Sequence, residues 1–381
     1  MCACRAQYRD LAILKSEGRD GLPSGFLELP GRVYAEDPSW IPEDSAALAA
    51  AFSGDNAYFV RSRARCFCIP GKARVVAFFD PELVIDGQPA AYLGYYESTG
   101  DADAHGELLL QAERWLHDLG AQVVYGPVQF NTAHSYRFRL SSSAGFAPFL
   151  GEPYNPESYP RQWEELGYTL SRRFSSQIIP LPQLHQALSI FAPLRESLLA
   201  EGYRFEIPTV ELWVKSLPSL HEMIDSIFAQ NFAYSRSSYA SFAALLQPAI
   251  EHKICQKSSV LVFAPDGTLA ALGLSYPHYG PLVVQGRGRA RIDSREIDYR
   301  THAPLLATQS PRGCIGKTLG VHPAHRKKGI KEVLLLTGFE RSLDTYDVWC
   351  AATMREDNSS RRVFAAVATS EHWYGLFSKP L

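Results

Sequence analysis

Apolar positions along the chain change spacing several times, and each change predicts an element. After an unpatterned stretch of about 25 residues, 26–52 reads as two short helices around a Pro-rich turn at Asp37-Pro38 and Trp40-Ile41-Pro42. Residues 64–79 and 90–97 carry strand-like runs. Past a polar turn at 98–105, Leu109, Ala112, Trp115, Leu116 and Leu119 fall at helical spacing, predicting a helix over 106–119 that Gly120 ends. With a strand at 121–125 and the turn Gly126-Pro127, the order is β-α-β. Residues 146–159, rich in Pro, Gly and aromatics, read as a packed loop; a helix at 158–168 and a strand at 171–179 follow.

Pro180-Leu181-Pro182 marks a boundary. Beyond it the pattern predicts helices at 183–201, 217–229 and 238–252 and a strand at 204–215. Strands at 259–264 and 269–276 flank the hairpin turn Pro265-Asp266-Gly267-Thr268. A strand at 313–323, a loop and helix at 324–343, a strand at 347–354, a helix at 356–368 and a final strand at 372–381 complete the chain. Both halves hold the same order of elements without a close sequence repeat. The expected fold is α/β (mixed α+β) in two domains, 1–180 and 181–381, which suits 381 residues.

The net charge of -2 argues against a general nucleic-acid binder, so any anion site must be local. No apolar run reaches membrane-spanning length, and Arg5, Arg9, Asp10 and Lys15 interrupt any leader core; the expected location is the cytoplasm. Seven scattered cysteines lack zinc-knuckle spacing and read as reduced structural thiols, with a metal or redox role for Cys2 and Cys4 as the alternative; no metal is expected.

The segment with the most chemistry is GVHPAHRKKGIKEVLLL, residues 320–336. Pro323 stops a strand's ladder, Gly329 permits close backbone approach, and the helix that begins there offers unpaired N–H groups and a positive dipole end. Arg326, Lys327, Lys328 and Lys331 put four cations within six residues. Together these suit a pyrophosphate; a solvated basic turn before an ordinary helix has the same spacing. His322 reads as a solvent-facing loop residue, and Glu356 and Asp357 as helix-capping carboxylates. Gly286-Arg287-Gly288-Arg289 reads as a solvated basic loop, with contact to a 3′-phosphate or a carrier protein as its alternative. Phe146, Phe149, Tyr154, Tyr159 and Trp163 read as packing.

Residues 320–336 resemble the cofactor motif of the GCN5-related N-acetyltransferases (GNAT superfamily): Val-x-Pro ending a strand, then Arg/Gln-x-x-Gly-x-Gly/Ala. Val321, Pro323, Arg326 and Gly329 match, and Lys331 departs at the last position. Residues 356–358 resemble the next motif, where an Asn and a Ser open a helix. A wider similarity, carried by 26–42, 125–131, 152–168 and the C-terminal SKPL, is to a bacterial group of GNAT-family proteins of unknown substrate. The resemblance implies two tandem GNAT-like domains, each a twisted mixed sheet flanked by helices. It implies acetyl-CoA or another acyl-CoA as co-substrate, held in the C-terminal domain by Leu319, Gly320, Val321, Arg326, Lys327, Lys328, Gly329, Ile330, Lys331 and Asn358. The N-terminal domain lacks the loop: 98–105 has no Arg-x-x-Gly, and Asp101 and Asp103 would repel a pyrophosphate.

The implied reaction is N-acylation of a small-molecule amine by direct attack. A backbone N–H near Val321 would polarise the thioester, and a splay between that strand and 347–354 would admit the pantetheine arm. Phe364 stands where the superfamily has the Tyr that protonates the thiolate, so Tyr374 is the substitute acid, and His278 is the candidate base at a strand end. Two alternatives remain: a degenerate member that binds acyl-CoA or a partner without turnover, and transfer from an acyl or aminoacyl donor held by a carrier protein or tRNA. No membrane or general nucleic-acid partner is expected, and oligomeric state is not specified.

Overall fold

Strand, hairpin and crossover follow one another twice along the chain. The computed structural model describes residues 11–143, 145–229, 231–234, 236–284 and 291–381. Cys2, Cys4 and the basic loop Gly286-Arg287-Gly288-Arg289 lie outside the described residues.

The first unit comprises residues 1–141, 151–173 and 374–381. It contains β1 (Leu14–Glu17), β2 (Arg63–Ile69), β3 (Ala73–Ile85), β4 (Gln88–Ser98), β5 (Val123–Gly126) and the short β6 (Phe138–Ser141). Neighbours β1 to β4 are antiparallel, while β4 and β5 are parallel, with Ala90 opposite Val123. The crossover between them is the helix Ala102–Asp118. It buries Leu108, Leu109, Ala112, Trp115 and Leu116 against the sheet, on the face its spacing marks.

The second unit comprises 142–150 and 174–373. β7 (Thr169–Pro180) enters it at Phe174, and β8 (Arg204–Glu206), β9 (Val260–Phe263), β10 (Leu269–Pro277), β11 (Gly313–Val321) and β12 (Val348–Arg355) follow. Its order is β7-β12-β11-β10-β9-β8. The pairs are antiparallel except β11 with β12, joined through the helix Ile330–Glu340. The last strand, β13 (Ser370–Pro380), ends in the first unit, where Phe377 to Pro380 pair with Gly126 to Val123 of β5. Each sheet therefore has four antiparallel strands, a parallel crossover, and an antiparallel strand supplied out of sequence order.

Two expectations need correction. The boundary is not at 180: β7 runs through that point, and the units change at 173/174. Pro180-Leu181-Pro182 is a strand-to-helix corner, with Pro182 in the first turn of the helix Leu181–Leu188, where a missing N–H costs nothing. The strand expected at 204–215 stops at Glu206, because Thr209 caps a helix, Val210–Phe228, by accepting from the Leu212 N–H at 3.2 Å. Trp213, Leu217 and Leu220 then fall on its buried face.

Candidate functional site

The second unit's parallel pair opens part-way along. β11 and β12 pair from Gly313/Val348 to Gly316/Ala351 and no further. The register of β11 on β10 shifts at Lys317, with Ser275 opposite Gly316 and Leu274 opposite Thr318; such a bulge re-aims a strand. The His322 N–H donates to the Ala270 carbonyl at 2.9 Å. Alternation along an antiparallel ladder then turns Gly320 toward β10, and Leu319 and Val321 toward the gap. Their amide groups face the space left by β12.

A cavity of about 130 Å³ occupies this gap. Leu319, Leu334, Trp349, Met354 and Phe364 form its apolar wall, and Thr318, Thr353 and Asn358 add polar atoms. Gly316 lets Trp349 lie across the floor: a Cβ there would sit 2.2 Å from the Trp349 ring. The aromatic wall at Phe364 has no ionisable proton.

β11 leads into a tight turn. The His322 Nδ1 accepts the Ala324 N–H at 3.3 Å, so this ring closes the turn Pro323–His325 rather than pointing idly at solvent. Lys327 and Gly329 both have left-handed backbone, with φ of 68° and 73°. Gly329 is the N-cap of the helix Ile330–Glu340, and no side chain caps that end. The helix is held by the buried Ile330, Val333, Leu334, Leu336 and Phe339, each contributing about 1.5–3 kcal/mol. Its open end is thus a fixed anion-seeking surface.

A groove of about 700 Å³ runs along this end. Nine of the ten residues expected at a cofactor line it: Leu319, Gly320, Val321, Arg326, Lys327, Gly329, Ile330, Lys331 and Asn358. Lys328 is the exception, turned toward Glu201 (3.5 Å) and the face of the Tyr203 ring. Leu319 and Asn358 line both the groove and the gap cavity. So does Phe228, at the end of the helix Val210–Phe228, which nothing in the motif's local sequence signals.

The first unit has the same crossover with the opposite electrostatics. Asp101 caps the helix Ala102–Asp118, accepting from the Ala104 N–H at 3.0 Å, and pairs with Lys72 at 2.7 Å. A carboxylate already holds the place an anion would take. The Tyr159 hydroxyl engages both the N–H (2.7 Å) and the carbonyl (3.2 Å) of Ser98 at the end of β4. The Trp163 ring lies 2.5 Å from where a Gly126 Cβ would be.

His278 does not lie with the loop, and Tyr374 belongs to the other unit. His278 is buried, its ring stacked on Phe146 at 4.3 Å, and its backbone N–H donates to the carbonyl of Gly313, the first residue of β11. By strand rise that is about 26 Å from Val321. Burial, reinforced by His372, lowers its imidazole to about 3, so it stays neutral and is too weak a base for an amine. Tyr374 belongs to the first unit and lines neither cavity; it is fully buried, donating to Glu152 at 2.5 Å. Removing that hydroxyl takes one hydrogen bond from the buried Glu152 carboxylate. Tyr374→Phe is therefore expected to cost about 1–3 kcal/mol of stability with turnover unchanged, read by denaturant unfolding beside an activity assay. Asp357 pairs with Arg355.

Among the described residues no group of three His, Cys, Asp or Glu is placed for a metal, and no helix is long and apolar enough to cross a membrane. Cys66, Cys68, Cys255, Cys314 and Cys350 are buried free thiols, and burial pushes Cys66 up to about 12.

No family's sequence profile matches the chain, and no curated protein does. Solved structures do. A protein of Enterococcus faecalis described as a probable N-acyltransferase matches with a TM-score of 0.50 at 9% identity, over 97% of this chain and 73% of its own. The GCN5-related glucosamine N-acetyltransferase region of a fungal multi-domain β-N-acetylglucosaminidase matches at 0.50 and 11%, over 98% of this chain and 38% of that one. A GCN5-related N-acetyltransferase from Sphaerobacter thermophilus matches at 0.48 and 14%, over 98% and 97%. At these identities the likeness concerns fold.

Proposed function

We propose, for a chain whose fold is that of the GCN5-related N-acetyltransferases, that the second unit binds acyl-coenzyme A and transfers its acyl group to a small-molecule amine. The observation that carries this reading is the uncapped helix end at Gly329, opening onto a groove that shares Leu319 and Asn358 with the gap between β11 and β12. The pyrophosphate would lie on the amides after Gly329, flanked by Arg326, Lys327 and Lys331. The pantetheine arm would run along the edge of β11, where the Leu319 and Val321 amides stand free of β10.

In the reaction the amine nitrogen attacks the thioester carbonyl, the C–N bond forms and the C–S bond breaks. The developing oxyanion is stabilised by backbone N–H groups of β11 beyond Gly316. The proton the amine loses is the proton the thiolate gains, so amide and free thiol result. With Phe364 at the wall and His278 at the other end of β11, that transfer runs through water. Phe364 also favours a second reading, binding of acyl-CoA without turnover. Release of free thiol from acetyl-CoA, followed across a panel of amines, separates the two: amine-dependent release supports the transferase, and tight binding with no release for any amine supports the binder.

The cations divide by geometry. Lys331→Ala is expected to weaken acetyl-CoA binding about tenfold, the loss of one charge-assisted contact. Lys328→Ala, outside the groove, is expected to weaken it less than about threefold through the general field alone. Calorimetric titration of the two variants reads the difference, and equal losses would contradict the placement of the loop.

A further inference from the structure

The cavity in the gap between β11 and β12 is larger than an acetyl group needs, and its two ends differ in character. Lys317, Thr318, Thr353 and Asn358 line it where it is exposed or half-buried. Leu274, Leu335, Phe339 and Trp349 line it where it is buried. The polar end adjoins the groove through the shared Leu319 and Asn358, and the helix Ile330–Glu340 walls the apolar end. Ser258 also lines the buried part, but its hydroxyl is engaged by Ser275 Oγ at 2.5 Å and Cys314 Sγ at 3.5 Å.

A pantetheine arm does not suit the apolar end. Its amides need hydrogen-bond partners, and burying an amide without one costs more than burying a methylene gains. Those partners are on the edge of β11, outside the apolar end. A hydrocarbon chain needs none. The volume of about 130 Å³ is close to that of an apolar cavity of about 150 Å³ that takes up benzene, so about five carbon atoms fit beyond the thioester carbonyl. An acetyl group supplies one, and apolar volume left empty costs stability. The inner limit is Trp349. Its ring crosses the floor at Gly316, whose pairing with Ala351 closes the gap, and Phe339 braces it edge-on at 4.7 Å.

We propose that the donor is a medium-chain acyl-CoA of about hexanoyl length, its hydrocarbon tail in the apolar end of this cavity, and that Trp349 sets the limit on chain length. The inference rests on the acyl-CoA reading above and names the donor within it. The tail enters from a thioester at the shared residue Leu319 and runs toward Gly316. The transfer step is unchanged: the C–N bond to the acyl carbonyl forms, the C–S bond breaks, and the proton lost by the amine goes to the thiolate. Only the acyl group differs.

Four compounds share the coenzyme and differ in the chain: free coenzyme A, acetyl-CoA, hexanoyl-CoA and octanoyl-CoA. Each methylene that the cavity buries is expected to tighten binding about threefold. Calorimetric titration of the full chain is therefore expected to show hexanoyl-CoA at least about tenfold tighter than acetyl-CoA, and octanoyl-CoA no tighter than hexanoyl-CoA. Ala351→Val adds two methyls at the inner end, at a strand position that suits a β-branched residue. It is expected to weaken hexanoyl-CoA about tenfold and free coenzyme A less than about twofold. Trp349→Phe, a smaller ring in the same place, is expected to move the optimum to octanoyl-CoA, and serves if the Val variant does not fold. Acetyl-CoA and hexanoyl-CoA bound equally well would overturn this inference and leave the coenzyme reading standing. So would a preference for hexanoyl-CoA that neither variant moves. No binding of any of the four would overturn the coenzyme reading and this inference with it.

Discussion

Gly329→Val is expected to abolish the acetyl-CoA-induced rise in melting temperature and also to lower the melting temperature of the free protein. At φ 73° this residue occupies left-handed backbone, which a β-branched side chain adopts only at a cost of about 1–2 kcal/mol or more. A Cβ would in addition stand 2.3 Å from Leu194 Cδ2, so that side chain must move. Relief of both strains rotates the first turn of the helix, and the amides after position 329 no longer converge on an anion. The Leu194 contact, formed by a residue far away in the chain, is why the change reaches the fold as well as the anion site. Differential scanning fluorimetry with and without acetyl-CoA reads both effects; a normal melting temperature with retained binding would contradict the loop's geometry.

The largest effect on stability is expected from Arg74→Leu. This guanidinium is fully buried, donates to the Phe26 carbonyl at 2.9 Å and to Glu43 at 2.6 Å, and faces Glu97. Its removal leaves carboxylates without a counter-charge, which costs about 3–5 kcal/mol, or a fall on the order of 10 °C in Tm for a unit of this size. The pH dependence has a definite sign. Glu97 has a folded value of about 7, above its ordinary 4.5, so the native state binds this proton more tightly than the unfolded state does. The resulting stabilisation is present below about 4.5 and is lost as pH rises through about 7. Without Arg74 the carboxyl is pushed higher still. The Arg74→Leu deficit is therefore expected to be smaller at pH 5 than at pH 8, and Glu97→Gln in the same chain is expected to restore part of it. Denaturant melts across that range check both; a pH-independent deficit would mean that Arg74 acts through packing alone.

Much of the fold could be read locally. The helix Ala102–Asp118 announces itself by apolar spacing, the β9–β10 hairpin by Asp266-Gly267, and the loop at Gly329 by its cations and glycine. What escaped was non-local. β13 ends beside β5 because its partner residues are a whole unit away in sequence, and no local pattern encodes such pairing. Lys328 points out of the groove because Glu201 and Tyr203 draw it away. His278 lies at a strand end, as its sequence context suggested, but at the end away from the loop, and a strand has two ends. A cavity around Glu97 is assembled from four separated segments, so it exists only after folding.

The central claim is that the open helix end after Gly329 receives an acyl-coenzyme A. The most direct measurement is the melting temperature of the full chain with acetyl-CoA, longer acyl-CoAs and free coenzyme A. Binding to the native state alone raises stability by about 2.7 kcal/mol at a hundredfold excess over Kd. The account predicts a clear upward shift with at least one of these compounds and its loss in Gly329→Val. No shift with any of them would contradict it.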